Sequence, residues 1–445
     1  MQILILASDA AAKVRRRLRE SDTAKAGGLA LATLINNAVQ LAFTIVFTRL
    51  LGLNNYGSLA ALVSAFLIML VGGQAIQVAA AREVARGRLG DLGEMGRSVR
   101  SWVRSLIVAT VVALVAGALL RVPLASLIGV PDHSWGAAAL PATGTLWLLL
   151  SLQRGILQGL HAYKPVGLSI IAEAVARLVG ALILVAAGTG VTGVFIATPL
   201  SLIAVSLGLA RVLRGRIGSD RLPVGAGVLP AAAVSTLRGL VVGGWGPIFG
   251  LTLLALLQNV DVIVVRHQWH GNRAGSYAAA AVAAKAVVWV AIGVGLHLLP
   301  EATRRAQAGL DPRPVLMRAL AVLAVIAAPA LLIFATVPHL LLSVAFGAKA
   351  TQASGALILL GGAMTLLAVS YLTVQYMLAL GNVSFLWALG AVALVEPFLL
   401  SAGSFSLVTF AAVVLGLQVV SAAAVLTLGL RARAVGRVRV AESMA

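Results

Sequence analysis

The chain has 445 residues, 60% of them hydrophobic and only 11% charged, with a mean hydropathy of +1.01 and a formal net charge of +20. A soluble globular protein carries roughly 25% charged residues, so this composition excludes that class and places the chain in a membrane. The charge does not indicate nucleic acid, because the basic residues stand between apolar stretches rather than on a soluble face, and the absence of cysteine excludes disulfides, thiolate metal sites and a cysteine nucleophile.

Residues 1–26 carry a short apolar run, Ile3 to Leu6, ahead of Lys13, Arg15, Arg16, Arg17 and Arg19. A cleaved leader places its charge before its apolar run, so this segment reads as retained, a basic strip on the cytoplasmic membrane surface. The first apolar span, 27–48, has the roughly 20 residues needed to cross a bilayer. Thr33, Asn37, Gln40, Thr44 and Thr48 recur along it at steps of three or four and so share one helix face. In lipid such a stripe must turn toward protein or water. The span ends in Arg49-Leu50-Leu51-Gly52, with a short turn expected before Tyr56-Gly57.

Five more spans follow at 57–79, 102–120, 137–158, 166–187 and 191–210, then a basic loop, then six at 239–265, 276–299, 315–337, 354–379, 384–402 and 405–429. The stretch Pro338 to Ser354 reads as a loop with one interfacial helical turn. The expected organisation is an N-lobe at 27–213, an inter-lobe loop at 214–236, a C-lobe at 237–430 and a basic tail at 431–445.

The second half repeats marks of the first. Asp261-x4-Arg266 closes a long apolar helix and leads to Gly275-Ser276-Tyr277, as Arg49 leads to Tyr56-Gly57-Ser58; Glu83-x-x-Arg86 is matched by Glu301-x-x-Arg304. Matched spacing implies a duplicated lobe. With the N-terminus in the cytoplasm, 24 lysines and arginines fall in cytoplasmic segments and 5 in the outer connections, the bias expected of a correctly oriented topology. Both halves then start on the cytoplasmic side. The fold expected is all-α: about 12 transmembrane helices in two six-helix lobes related by a pseudo-two-fold along the membrane normal, with a cavity between them.

Arg104, Arg154, Arg177, Arg238 and Lys285 remain inside the spans. Arg104 and Arg238 are close enough to an end to snorkel. Arg154 shares a face with Ser151 and Gln158. Arg177 and Lys285 are near mid-span, where a charge costs about 2.5–3.5 kcal/mol on insertion scales. Glu173 precedes Arg177 by four, the favourable order for a helical ion pair, so the two either neutralise each other or serve a site. Lys285 has no acid within a turn and shares a face with Tyr277, Ala281 and Trp289, which favours a binding role. Asp261 and Glu396, the latter followed by Pro397, are candidates for binding a coupling proton or sodium ion, with helix packing as the plain alternative. His267-x-x-His270 lacks a third ligand at zinc spacing, and no Gly-Lys-Ser/Thr phosphate loop is present for an ATP-driven pump.

The motifs together resemble a known family. Arg49-Leu50-Leu51-Gly52 with Tyr56-Gly57 is similar to the signature at the first span of polysaccharide-repeat flippases, the Wzx-type branch of the multidrug/oligosaccharidyl-lipid/polysaccharide exporter superfamily. Asp261, Arg266 and Gly275-x-Tyr277 resemble its seventh-to-eighth-span motif. Gln153 to Gln158-Gly159, Tyr163-Lys164 and Glu173 resemble its fourth-to-fifth-span segment, with an echo at Gln375, Gly381 and Glu396.

The resemblance implies a transporter, not an enzyme, that moves an undecaprenyl-diphosphate-linked oligosaccharide from the cytoplasmic to the outer leaflet of a bacterial cytoplasmic membrane, both termini being cytoplasmic. On this reading Arg177 and Lys285 hold the diphosphate, Arg154 assists at the entrance, and Asn37 and Gln40 meet the sugar. Asp261, Glu396 or Glu173 couples H+ or Na+, no cofactor is implied, and polysaccharide-assembly proteins are possible partners. Lipid II flippases of the superfamily have fourteen spans and basic residues in the first, unlike this chain. Multidrug antiporters would favour acids in the cavity, and a membrane glycosyltransferase would need catalytic groups in sizeable outer loops.

Overall fold

The structure is a computed structural model, and it describes residues 22–87, 92–217, 245–403 and 406–432. Every regular element among these is helical. In chain order they are α1 (Asp22–Ala85), α2 (Leu92–Leu119), α3 (Arg121–Ile128), α4 (Ser134–Gly159), α5 (Tyr163–Ala186) and α6 (Gly190–Ile217). Then follow α7 (Trp245–Gln268), α8 (Asn272–Gln307), α9 (Arg313–Thr336), α10 (Pro338–Phe346), α11 (Ser354–Ala379), α12 (Phe385–Ser401) and α13 (Leu407–Arg431). Among the described residues ten helices are long and apolar enough to cross a membrane; α1 is folded into two limbs at Gly52 and the shorter apolar α12 adds one more, which gives the twelve expected crossings. The predicted basic N-terminal segment, inter-lobe loop and tail lie largely outside the described residues.

The fold in α1 is sharper than the sequence suggests. A single residue, Gly52, breaks the helix at φ 73° and ψ 160°, a region open essentially to glycine alone. Asn54, Tyr56 and Gly57 therefore stand in the first turns of the second limb rather than in a loop. Gly271 makes the matching corner between α7 and α8, at φ 72° and ψ −150°.

The duplication extends beyond the motifs. Short α3 and the 3-10 turn Pro131–His133 precede α4, just as short α10 and the 3-10 turn Ala348–Ala353 precede α11. The stretch from Pro338 is thus a nine-residue α-helix followed by a six-residue 3-10 segment rather than mostly loop, and its counterpart before Ser134 was not foreseen. Both pieces are too short to show a helical period.

Helices approach closely where side chains are small, as membrane packing requires. A Cβ on Gly155 of α4 would stand 2.3 Å from the Gln77 carbonyl oxygen of α1. Large apolar side chains are turned outward on α2 (Val108, Val111, Val112, Val115), α9 (Val325, Leu332) and α12 (Leu394, Phe398), as lipid-facing surfaces should be. Twelve crossings leave Asp22 and Arg431 on one face, the terminal face; Gly52 and Gly271 mark the opposite, distal face. There the lobes meet: a Cβ on Gly57 would lie 3.1 Å from the Gly275 nitrogen, and one on Gly275 only 1.8 Å from the Leu53 carbonyl oxygen.

Candidate functional site

The polar stripe of the first limb of α1 is present, but its hydroxyls are spent locally. Thr33 donates to the Leu29 carbonyl at 3.0 Å and Thr48 to that of Thr44 at 2.6 Å. Asn37 and Gln40 are half-buried, and Asn36 Nδ2 donates to Asn37 Oδ1 at 3.4 Å. Tyr56 is buried beside Thr44 and Thr48.

In the N-lobe, Ser169, Glu173 and Arg177 recur every four residues and share one face of α5. Arg154 reaches them from α4. Its Nε donates to Ser169 Oγ at 2.9 Å, and its Nη2 donates to the Ser169 carbonyl at 3.0 Å and stands 3.6 Å from Glu173 Oε2. Arg177 Nη1 is 3.9 Å from Glu173 Oε1. Two guanidiniums thus share one carboxylate. Each also faces a ring: Arg154 lies 5.5 Å from the centre of Trp147 and Arg177 5.4 Å from that of Phe43, in reach of cation–π attraction. Arg177 is only 8% exposed, yet its Nε and Nη2 make no hydrogen bond among the described residues.

The C-lobe gathers a second cluster on α7, α8, α12 and α13. Tyr277 donates its hydroxyl to Asp261 Oδ2 at 2.9 Å. Lys285 Nζ donates to Asn259 Oδ1 at 3.0 Å and is close enough to Asp261 to interact with its charge. Glu396 faces the charge of Asp261, is fully buried, and has no hydrogen-bond partner at either oxygen among the described residues. Gln418 of α13 donates to the Leu257 carbonyl at 3.4 Å, which leaves its own Oε1, and Ser421 Oγ one turn on, buried and unpartnered.

Lys285 therefore does find an acid, on α7 rather than within a turn of its own helix. Proximity between helices cannot be read from spacing along one of them. Arg177 and Lys285 have separate surroundings: Arg177 is 8% exposed beside Glu173 and Phe43 of the N-lobe, and Lys285 is 5% exposed beside Asn259 and Asp261 of the C-lobe. Ser169, Asn259, Gln418 and Ser421 were missed as site residues, although a polar side chain in an apolar span is itself a signal. Among the described residues no three histidines or carboxylates gather as a metal site.

Of the first- and seventh-span motifs, Arg49, Gly52, Arg266 and Gly275 lie at the distal face. Arg49 bonds the Val344 carbonyl of the other lobe. Arg266 Nη1 donates to Asn54 Oδ1 at 3.4 Å, and the Gly271 N–H donates to the same oxygen at 3.0 Å. Four hydrogen bonds between described residues cross the lobes, these three and one from His267 to Leu127, and all are at this face.

The sequence profile of the family described as polysaccharide biosynthesis protein matches residues 23–296. No curated protein sequence matches. Among solved structures, an inward-facing multidrug resistance MATE family transporter of the MOP superfamily aligns with a TM-score of 0.72 at 15% identity, covering 89% of this chain and 94% of that one. Lipid II flippase MurJ in an inward closed conformation aligns at 0.68 and 12% identity, covering 90% and 86%. An outward-facing MATE family transporter of the same superfamily aligns at 0.57 and 16% identity, covering 93% and 97%.

Proposed function

Because the chain belongs to the polysaccharide biosynthesis protein family and has the fold of MOP superfamily transporters, we propose that it flips an undecaprenyl-diphosphate-linked oligosaccharide between leaflets by alternating access. The distal face is extracytoplasmic in this reading, and entry of H+ or Na+ drives the cycle. The observation that carries the cargo assignment is the N-lobe cluster. Arg154 and Arg177 bring two positive charges to one carboxylate, and the free Nε and Nη2 of Arg177 are the paired donors that a phosphate oxygen accepts. A lipid-linked diphosphate supplies the missing anion, its sugar lies toward Asn37 and Gln40, and its tail stays in the bilayer.

The C-lobe cluster has the opposite excess, Asp261 and Glu396 against Lys285, and carries acceptor oxygens of Gln418 and Ser421 that lack donors. A proton or a sodium ion balances it, which makes Asp261 and Glu396 the coupling residues. Lys285 belongs to this cluster and acts there rather than on the diphosphate.

Reconstituted vesicles test the reading. A fluorescent polyprenyl-diphosphate sugar should move between leaflets without change in mass, and Arg177→Ala should slow it far more than Arg177→Lys. An unchanged rate in Arg177→Ala removes the N-lobe cluster from the cargo site. A change in lipid mass without movement would mark an enzyme instead.

A further inference from the structure

At the distal face two contacts between the lobes are related by the internal repeat. Arg49, at the end of the first limb of α1, donates to the Val344 carbonyl in the last turn of α10. His267, at the end of α7, donates from Nε2 to the Leu127 carbonyl in the last turn of α3 at 2.7 Å. Both short helices stop at glycines in the positive-φ region, Gly129 at 79° and Gly347 at 97°.

The last carbonyls of a helix have no partner within it, and that end carries a partial negative charge that attracts donors and cations. In α3 the chain itself caps Ser126 and Ala125, through the amides of Gly129 and Val130; in α10 the Gly347 amide caps Ser343. The carbonyls of Leu127 and Val344 are left over. In each case the side chain that takes them comes from the other lobe.

We infer that Arg49 and His267 are the two latches of the distal gate, each capping the short helix of the opposite lobe, and that both must let go before the lobes part at this face. Asn54 adds a third tie through Arg266 and Gly271, and the Gly57–Gly275 contact lies just beneath. The repeat explains why two short helices are kept here: each lobe offers one unfinished helix end and one side chain to finish the other's. The inference needs only that the lobes separate at the distal face and does not depend on the cargo.

The test uses the full chain in lipid nanodiscs, and its lack of cysteine makes single reporters clean. Ala274→Cys places a thiol at the lobe contact, where Ala274 is 1% exposed. Labelling of it by a hydrophilic maleimide should be slow in the otherwise unchanged chain. It should quicken by about tenfold in Arg49→Ala, the scale of one hydrogen bond to a charged group, by several-fold in His267→Ala, and most in the double variant. His267→Arg, which keeps a donor at the carbonyl, should stay near the parent rate. So should Arg273→Ala, which removes a neighbouring cation that lies over Trp269 instead. Ala137→Cys, a reporter fully buried within the N-lobe, should remain unlabelled throughout. The inference is overturned by an unchanged rate in the double variant, by an equal rise in Arg273→Ala, or by labelling at Ala137→Cys as well, which would mean that these side chains hold a lobe together internally. Normal latch behaviour with no lipid movement would count against the cargo reading alone.

Discussion

On α5 in the N-lobe, Glu173 is shared by two guanidiniums; on α12 in the C-lobe, which follows the same place in the repeat, Glu396 has no hydrogen-bond partner at either oxygen. A similar inversion holds one layer away. The guanidinium of Arg177 lies over the ring of Phe43 on the first limb of α1, whereas the ammonium of Lys285 faces the carboxylate of Asp261 on α7, the helix that repeats that limb. Duplication supplied one scaffold twice, and a few exchanged side chains gave one copy a surplus positive charge and the other a surplus negative one. A buried charge must be matched or neutralised, which is why the proposed function gives an anion to the N-lobe cluster and a cation to the C-lobe cluster.

The largest expected effect comes from removing the shared acid. Glu173→Ala leaves two buried guanidiniums without their counter-charge and should cost about 3–5 kcal/mol, read as a steep loss of thermal stability of the purified protein. Glu396→Gln removes a carboxylate that has no cationic hydrogen-bond partner, so it should leave the melting temperature close to the parent while abolishing the dependence of lipid movement on an ion gradient. Equal melting losses in the two variants would erase the contrast between the lobes.

Phe43→Asp comes next, because it gives the N-lobe the kind of acid that the C-lobe has. It should neutralise the surplus of Arg154 and Arg177 and reduce lipid movement by about a hundredfold, the loss of one or two charge-assisted hydrogen bonds, while Phe43→Leu, which removes only the ring face, should cost several-fold at most. The glycines where the lobes touch should rank by how close a new Cβ comes. Gly275→Ala drives a methyl against the Leu53 carbonyl at 1.8 Å and should cost about 1–3 kcal/mol, whereas Gly57→Ala, at 3.1 Å, should cost less; a thermal-shift series decides. The smallest effect belongs to Glu301. It also pairs with two arginines, at 2.9 Å to Arg304 and 3.1 Å to Arg305, and their hydrogen bonds hold its carboxyl below the usual carboxylate range. In that trio Arg304 is exposed and Glu301 and Arg305 are partly so, enough for solvent to screen it, so Glu301→Gln should leave the melting temperature nearly unchanged. A loss as large as that of Glu173→Ala would show that burial is not what separates the two arginine–glutamate trios.

The sequence located the twelve spans to within a few residues over most of their length, because apolar length is a local sum and the membrane demands it. It also exposed the repeat through Gly57 and Gly275 and through Glu83 and Glu301. It singled out Arg154, Glu173, Arg177, Asp261, Lys285 and Glu396 as the charges to explain, since a charge in an apolar span stands out whatever surrounds it. The break confined to Gly52 and the short helices α3 and α10 were not legible: one residue carries no period, and eight or nine residues carry too little.

Partnership was decided by the tertiary structure alone. Glu173 precedes Arg177 by one turn and could be paired on paper, but Arg154 joins them from α4, Lys285 meets Asn259 and Asp261 from across a helix boundary, and Arg49 and His267 reach carbonyls in the opposite lobe. Which helix faces which is fixed by the packing of whole surfaces, through small residues such as Gly155, Gly57 and Gly275, and no single stretch of chain contains that information. Hydropathy along the chain therefore determined that charges are buried, while the contacts between helices determined which of them have partners.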